Sequence, residues 1–317
     1  MTKRLLKIIS YILVLLSFVF IFKAISAIDI KNLSAYVSIS SFFFILFSAV
    51  LYSLNSPLFA LAWRKLLQVV SGRSVPLRLV LNLYFRSNIA KYLPGNVFHF
   101  AGRHLLVNER IVGHRYMLFA NILEIGLLII SACLVVVAGV MSGLVHIPDR
   151  VFSLIQLRFV ITGMVLAMGF SIMAALYLYK HKKLDLIIHL LHILKPEKLI
   201  QIFYAGLLYS IMFITTGFIL YLILFFTTPG VFSLSGLMQV IFIFTLAWVA
   251  GYIVPGAPGG VGIREAILII MLAVSFETSA IAMASIILRF ITIAGDILTY
   301  IYSKLPALKY TISEEAK

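Results

Sequence analysis

Polar positions along this chain are rare and bunched, and the apolar stretches between them are long. A transmembrane helix needs about twenty predominantly apolar residues. Runs of roughly that length cover Leu5–Phe22, Ala35–Leu54, Tyr116–Met141, Phe159–Tyr179, Leu199–Phe226 and Thr278–Tyr302, and each predicts a membrane span. Two shorter stretches, Phe59–Val70 and Leu77–Ile89, carry Arg64, Lys65, Arg78 and Arg86 and read as interfacial or re-entrant helices rather than crossings. Leu184–Leu194 reads as a further interfacial helix.

The pattern is broken at Tyr252–Glu265 (YIVPGAPGGVGIRE), between the uncharged stretches Leu234–Gly251 and Ile267–Val274. Its prolines remove backbone donors and its glycines disfavour helix, so the helix stops there. In hydrocarbon such backbone must be buried in protein or line a wet cavity. A short helix, Arg264–Val274, is expected to follow. An earlier break at Lys91–Asn96 (KYLPGN) precedes a short apolar helix, Phe98–Val107, that carries Arg103.

Two Pro-Gly interruptions in corresponding places of two halves point to a transporter-like binding site. Each half then holds two spans, a broken re-entrant element and one more span. That odd number of crossings inverts the second half relative to the first. The expectation is an all-α polytopic membrane protein, a single domain of about six to eight transmembrane helices with an inverted repeat over residues 1–145 and 155–303. The alternative is that Leu234–Gly251 crosses fully and the glycine loop is a cytoplasmic turn.

Composition agrees: 62% of the 317 residues are hydrophobic and 12% charged, where soluble domains carry about a quarter charged. The formal charge of +15 does not indicate nucleic acid, because the basic residues collect in loops between spans, as anchoring to an anionic leaflet requires. Twenty of the 26 Lys and Arg fall on one side of the predicted spans and four on the other, which makes both termini cytoplasmic in an inner (plasma) membrane. The N-terminus imitates a signal peptide, but Lys23 interrupts the pattern and a retained first helix is expected. The lone Cys133 sits inside an apolar run and forms no internal disulfide.

The orientation is testable. In a Cys133→Ala background, a cysteine at Thr228 should react with an impermeant thiol reagent from outside, and one at Lys182 only after permeabilisation. The reverse pattern overturns the orientation.

Charges at membrane depth are costly and mark functional sites. Arg264 and Glu265 open the short helix after the glycines. Backbone N–H groups at a helix start attract anions, and the guanidinium fork matches phosphate, so phosphate or headgroup contact is expected. The competing reading is a local Arg264–Glu265 ion pair. Arg289 and Asp296 lie seven residues apart on the last span, too far for a direct pair, so each needs another partner. Glu124 follows Gly95 by 29 residues and Arg289 follows Gly260 by 29, so the two could face each other across a central cavity. Coincidence with ordinary interhelical hydrogen bonding explains the spacing equally well. Lys91, Arg103 and His104 flank the first break, with positive-inside anchoring as the competing reading. The tyrosines and phenylalanines read as mostly lipid-facing or interfacial, and no role is assigned to them. No Cys/His cluster has zinc spacing and no Gly-Lys-Ser/Thr loop occurs, so neither a metal nor a cofactor is expected.

The segments IAKYLPGNVFHFAGR (Ile89–Arg103) and VPGAPGGVGIREA (Val254–Ala266), with Arg289 beyond, resemble the lysylphosphatidylglycerol synthase transmembrane region, also called the flippase-like or UPF0104 family. The resemblance covers nearly the whole chain. Its motif positions match at Lys91, Pro94, Gly95, Pro255, Gly256, Pro258, Gly259, Gly260, Gly262, Arg264 and Glu265, while Phe98 and His99 stand where a small residue is expected. It implies a polytopic bundle that moves or presents lipids, without the soluble aminoacyl-transferase domain.

The expected function is therefore flippase-like movement of an anionic phospholipid or polyprenyl-phosphate-linked lipid, not catalysis. Arg264, Glu265, Arg103, Arg289, Lys91, Glu124 and Asp296 are the candidate headgroup residues. The alternatives are an integral membrane transferase using lipid-linked substrates, weakly supported by Asp29, and a non-catalytic partner of a cell-envelope synthase. Membrane lipids are the expected partners, with a cell-envelope enzyme or a second copy of the chain as candidate protein partners.

Overall fold

The computed structural model describes residues 39–93, 98–107, 111–143, 195–228, 233–253 and 262–308. Among them every regular element is helical. In chain order these are α1 (Ile39–Ser53), α2 (Asn55–Ser71), α3 (Leu77–Asn88), a 3-10 turn (Ile89–Tyr92), α4 (Phe98–Leu106), α5 (His114–Met141), α6 (Pro196–Thr227), α7 (Leu234–Ile253), α8 (Ile263–Leu272), α9 (Thr278–Tyr302) and a final 3-10 turn (Pro306–Leu308). Five described helices are long and apolar enough to cross a membrane: Phe42–Ser71, His114–Met141, Pro196–Thr227, Leu234–Tyr252 and Thr278–Tyr302. The chain is an all-α polytopic membrane protein.

Several helices match the expected spans closely, Thr278–Tyr302 at both ends, because the apolar runs there stop at turn-forming polar residues. The expected spans Leu5–Phe22 and Phe159–Tyr179, and the interfacial helix Leu184–Leu194, lie outside the described residues.

Phe59–Val70 runs on from the second expected span: Phe42–Ser71 is a 30-residue stretch of helix, and its Ala60, Ala62, Trp63, Leu66, Leu67, Val69 and Val70 are buried. Pro57 sits in the first turn of α2, where its missing N–H has no intrahelical acceptor to lose. One of the charges that suggested an interface has a local use: Arg64 Nε donates to the Val75 carbonyl at 2.7 Å, tying α2 to the loop before α3.

Two large apolar cores form among the described residues. One gathers residues of α2, α3, α5 and the first half of α6; the other gathers α1, the second half of α6, α7, α8 and α9. Helix α6 runs through both, and Trp248 of α7 packs against both. The packing repeats itself: α2 lies on α5 as α6 lies on α9, α3 on α4 as α7 on α8, and α3 on α9 as α7 on α5.

Close approaches at two glycines set this arrangement. A Cβ at Gly217 would lie 2.7 Å from the Ile241 Cα, and one at Gly295 would lie 2.9 Å from the Ala49 carbonyl oxygen. Small residues let membrane helices approach backbone to backbone. At Gly295 this brings α1, with Tyr52, directly against the helix that carries Asp296.

Candidate functional site

The 3-10 turn Ile89–Tyr92 follows α3 and ends at Leu93, whose extended backbone (φ −71°, ψ 147°) is the conformation that a following proline imposes. Pro94 and Gly95 themselves lie outside the described residues. The turn presents Lys91 and Tyr92 to Asp296 on α9. Lys91 Nζ stands 2.7 Å from Asp296 Oδ2, the Tyr92 hydroxyl donates to the same oxygen at 2.5 Å, and Asn88 Nδ2 donates to Oδ1 at 2.8 Å. The carboxylate is 1% exposed and the lysine side chain 26%, so the pair opens on the lysine side.

The second pair joins α4 to α5. Arg103 donates through both terminal nitrogens to Glu124, making a two-point contact, and through Nη1 to Asn121 Oδ1 at 3.0 Å. The Tyr84 hydroxyl donates to Glu124 Oε1 at 2.9 Å, and Trp63 Nε1 donates to Asn121 Oδ1 at 3.0 Å. The guanidinium carbon also lies 4.2 Å from the Tyr84 ring centre and 4.6 Å from that of Trp63. Arg103 and Glu124 are sealed, at 0% and 1% exposure, and touch protein groups here.

The third pair joins α8 to α9. Arg289 Nε donates to Glu265 Oε1 at 2.7 Å and its Nη2 lies 2.6 Å from the same oxygen. Glu265 Oε2 accepts the Gly262 N–H at 2.6 Å, closing the start of α8. Gly262 has φ 86°, which a side chain would strain, and this explains a glycine as the last residue before the helix.

These contacts answer the sequence expectations. Glu124 and Arg289 do not pair with each other: Glu124 is taken by Arg103 and Arg289 by Glu265. Arg289 and Asp296 have different partners, as their spacing requires. Glu265 is bound to Arg289 and to Gly262, so the Arg264–Glu265 local ion pair is not formed among the described contacts. Of the glycine-loop motif, Pro255, Gly256, Pro258, Gly259 and Gly260 lie outside the described residues.

Four cations flank the breaks (Lys91, Arg103, Arg264, Arg289), and three acids accompany them (Glu124, Glu265, Asp296). Three pairs leave Arg264 over. Its guanidinium sits above the Trp248 ring at 5.6 Å, and Trp248 in turn stacks on Tyr252 at 4.7 Å. Its Nε is buried and has no hydrogen-bond partner among the described residues. Tyr52, Tyr92, Glu265 and Arg289 lie within its electrostatic range, and Tyr52 is equally within range of Lys91 and Asp296. Chemically, Arg264 offers an anion a cation that none of the ion pairs among the described residues occupies.

The aromatic residues correct the sequence reading. Tyr84 and Tyr92 do have roles: their hydroxyls donate to Glu124 and Asp296. A buried hydroxyl needs a partner, and a buried carboxylate needs several donors, so the two needs meet. The adjacency of Tyr92 to Lys91 at the break was the available signal.

No family model matches the chain, and no curated protein matches it.

Proposed function

We propose that this protein moves an anionic lipid, a phospholipid or a polyprenyl-phosphate-linked lipid, between the leaflets of an inner membrane, with both termini cytoplasmic. The observation that carries the reading is Arg264: a guanidinium at the start of α8, with no carboxylate of its own among the described residues and a buried Nε left without an acceptor. Such a group in a membrane protein is costly to keep unless something anionic visits it. A phosphate diester fits, since its oxygens match the guanidinium fork and its acyl or prenyl chains can remain in the bilayer.

The repeated packing supports a repeat over residues 1–145 and 155–303. The resemblance of the motifs around Lys91 and Arg264 to the flippase-like family points the same way.

The reading is tested by reconstitution. Vesicles containing the protein should expose headgroup-labelled phosphatidylglycerol from the inner leaflet to a membrane-impermeant quencher faster than protein-free vesicles do. Exposure no faster than in protein-free vesicles contradicts it, and conversion of the labelled lipid to a new product points instead to a transferase.

A further inference from the structure

Arg264 is in contact with an aromatic ring where the other cations of the site are in contact with carboxylates. Its guanidinium carbon lies 5.6 Å from the centre of the Trp248 ring. That ring is itself fixed by two others. Tyr252, one helical turn on, stacks on it at 4.7 Å with the planes 10° apart. Phe213 of α6 meets it edge-on, at 5.0 Å and 75°. Trp248 also packs against both large apolar cores, so its position is set by both at once.

We propose that Trp248 is the positioning residue of the anion site: its ring holds the Arg264 guanidinium in place and leaves the N–H groups free for the phosphate of a lipid. This rests on the anionic-lipid reading of Arg264 and adds how the arginine is kept ready for its ligand.

A ring does what a carboxylate would not. A carboxylate holds a guanidinium by accepting its N–H groups, as Glu124 does for Arg103 in a two-point contact. Those donors must be released before they can meet a phosphate. An aromatic ring attracts the cation through its quadrupole, without a carboxylate's claim on the N–H fork. The buried Nε of Arg264, without an acceptor among the described residues, agrees with that arrangement. Nor does a ring cancel the charge, so the site keeps its positive charge for an anion.

The guanidinium also needs holding. Arg289 lies within its electrostatic range and repels it. Glu265, the neighbouring acid, is bound to Arg289 and to the Gly262 N–H. Fixing a long side chain before the ligand arrives removes part of the ordering cost that binding would otherwise carry.

A double-mutant cycle tests this, read by calorimetric titration of the detergent-solubilised protein with dioctanoyl phosphatidylglycerol. Trp248→Leu should weaken binding about tenfold, and Trp248→Phe, which keeps an aromatic face, by no more than about threefold. In the Arg264→Gln background Trp248→Leu should bring no further loss, because the residue it acts through is gone. Equal losses in both backgrounds, or a phenylalanine variant as weak as the leucine one, overturn the proposal and leave the lipid reading standing. A measurement on the wild-type protein keeps the test decisive if the leucine variant does not fold. The chain has two tryptophans, so 5-fluorotryptophan labelling gives two fluorine resonances. The one missing from Trp248→Phe should shift when the lipid is added. Lipid binding that leaves this resonance in place overturns the proposal. Absence of lipid binding to the wild-type protein removes the lipid reading, and the positioning role with it.

Discussion

Replacing Glu124 by leucine should destabilise the protein by about 3–5 kcal/mol, the cost of leaving a buried charge without its partner. Arg103 is fully enclosed, and its neighbours leave it nowhere else to go: the Tyr84, Trp63 and Phe100 rings cover its faces, and Asn121 offers one carbonyl already shared with Trp63. The Tyr84 hydroxyl also loses its acceptor. Pairing the change with Arg103→Met should recover most of the loss, because an apolar pair of similar volume removes both charges together. Unfolding in mixed micelles with increasing dodecyl sulfate measures this. Wild-type resistance in the single variant would show that the pair is not what holds α4 to α5.

The second large effect is expected at Arg264, on ligand affinity rather than on stability. Its described contacts are a ring and unpaired space, so its replacement should leave insertion and folding intact. Arg264→Lys keeps the charge but loses the fork, and Arg264→Gln loses both. Binding of an anionic lipid should weaken in that order. The loss for glutamine is about 1.5–3 kcal/mol, roughly ten- to a hundredfold in affinity. The double change Arg264→Gln with Glu265→Gln should bring no recovery, since Glu265 is engaged by Arg289 and Gly262. Recovery in the double variant would make Arg264 a structural partner of Glu265.

Much of the fold could be read from the chain because apolar runs and Pro-Gly breaks act locally. Helix α9 needs no knowledge of its neighbours to be placed between Glu277 and Ser303. The sequence could not show where polarity has a tertiary use. Arg64 looks like the water-facing side of a surface helix, but in α2 its Nε donates to the backbone of a neighbouring loop. The charged residues of the site could be named from the sequence, since each stands in apolar chain. Their pairing could not, because helical spacing relates only residues on one helix. Asp296 binds a lysine more than two hundred positions away, and Arg103 finds its acid on the following helix. What the sequence could have supplied is the imbalance of four cations against three acids. It requires one cation without an acid, and the geometry identifies it as Arg264.

The central claim is that Arg264 holds the phosphate of an anionic lipid. Mass spectrometry of lipids retained on gently purified protein tests it most directly, with wild-type and Arg264→Gln prepared in parallel. The account predicts a phosphate-bearing anionic lipid retained on the wild-type protein and lost from the variant. The same anionic lipid held equally by both proteins would contradict it.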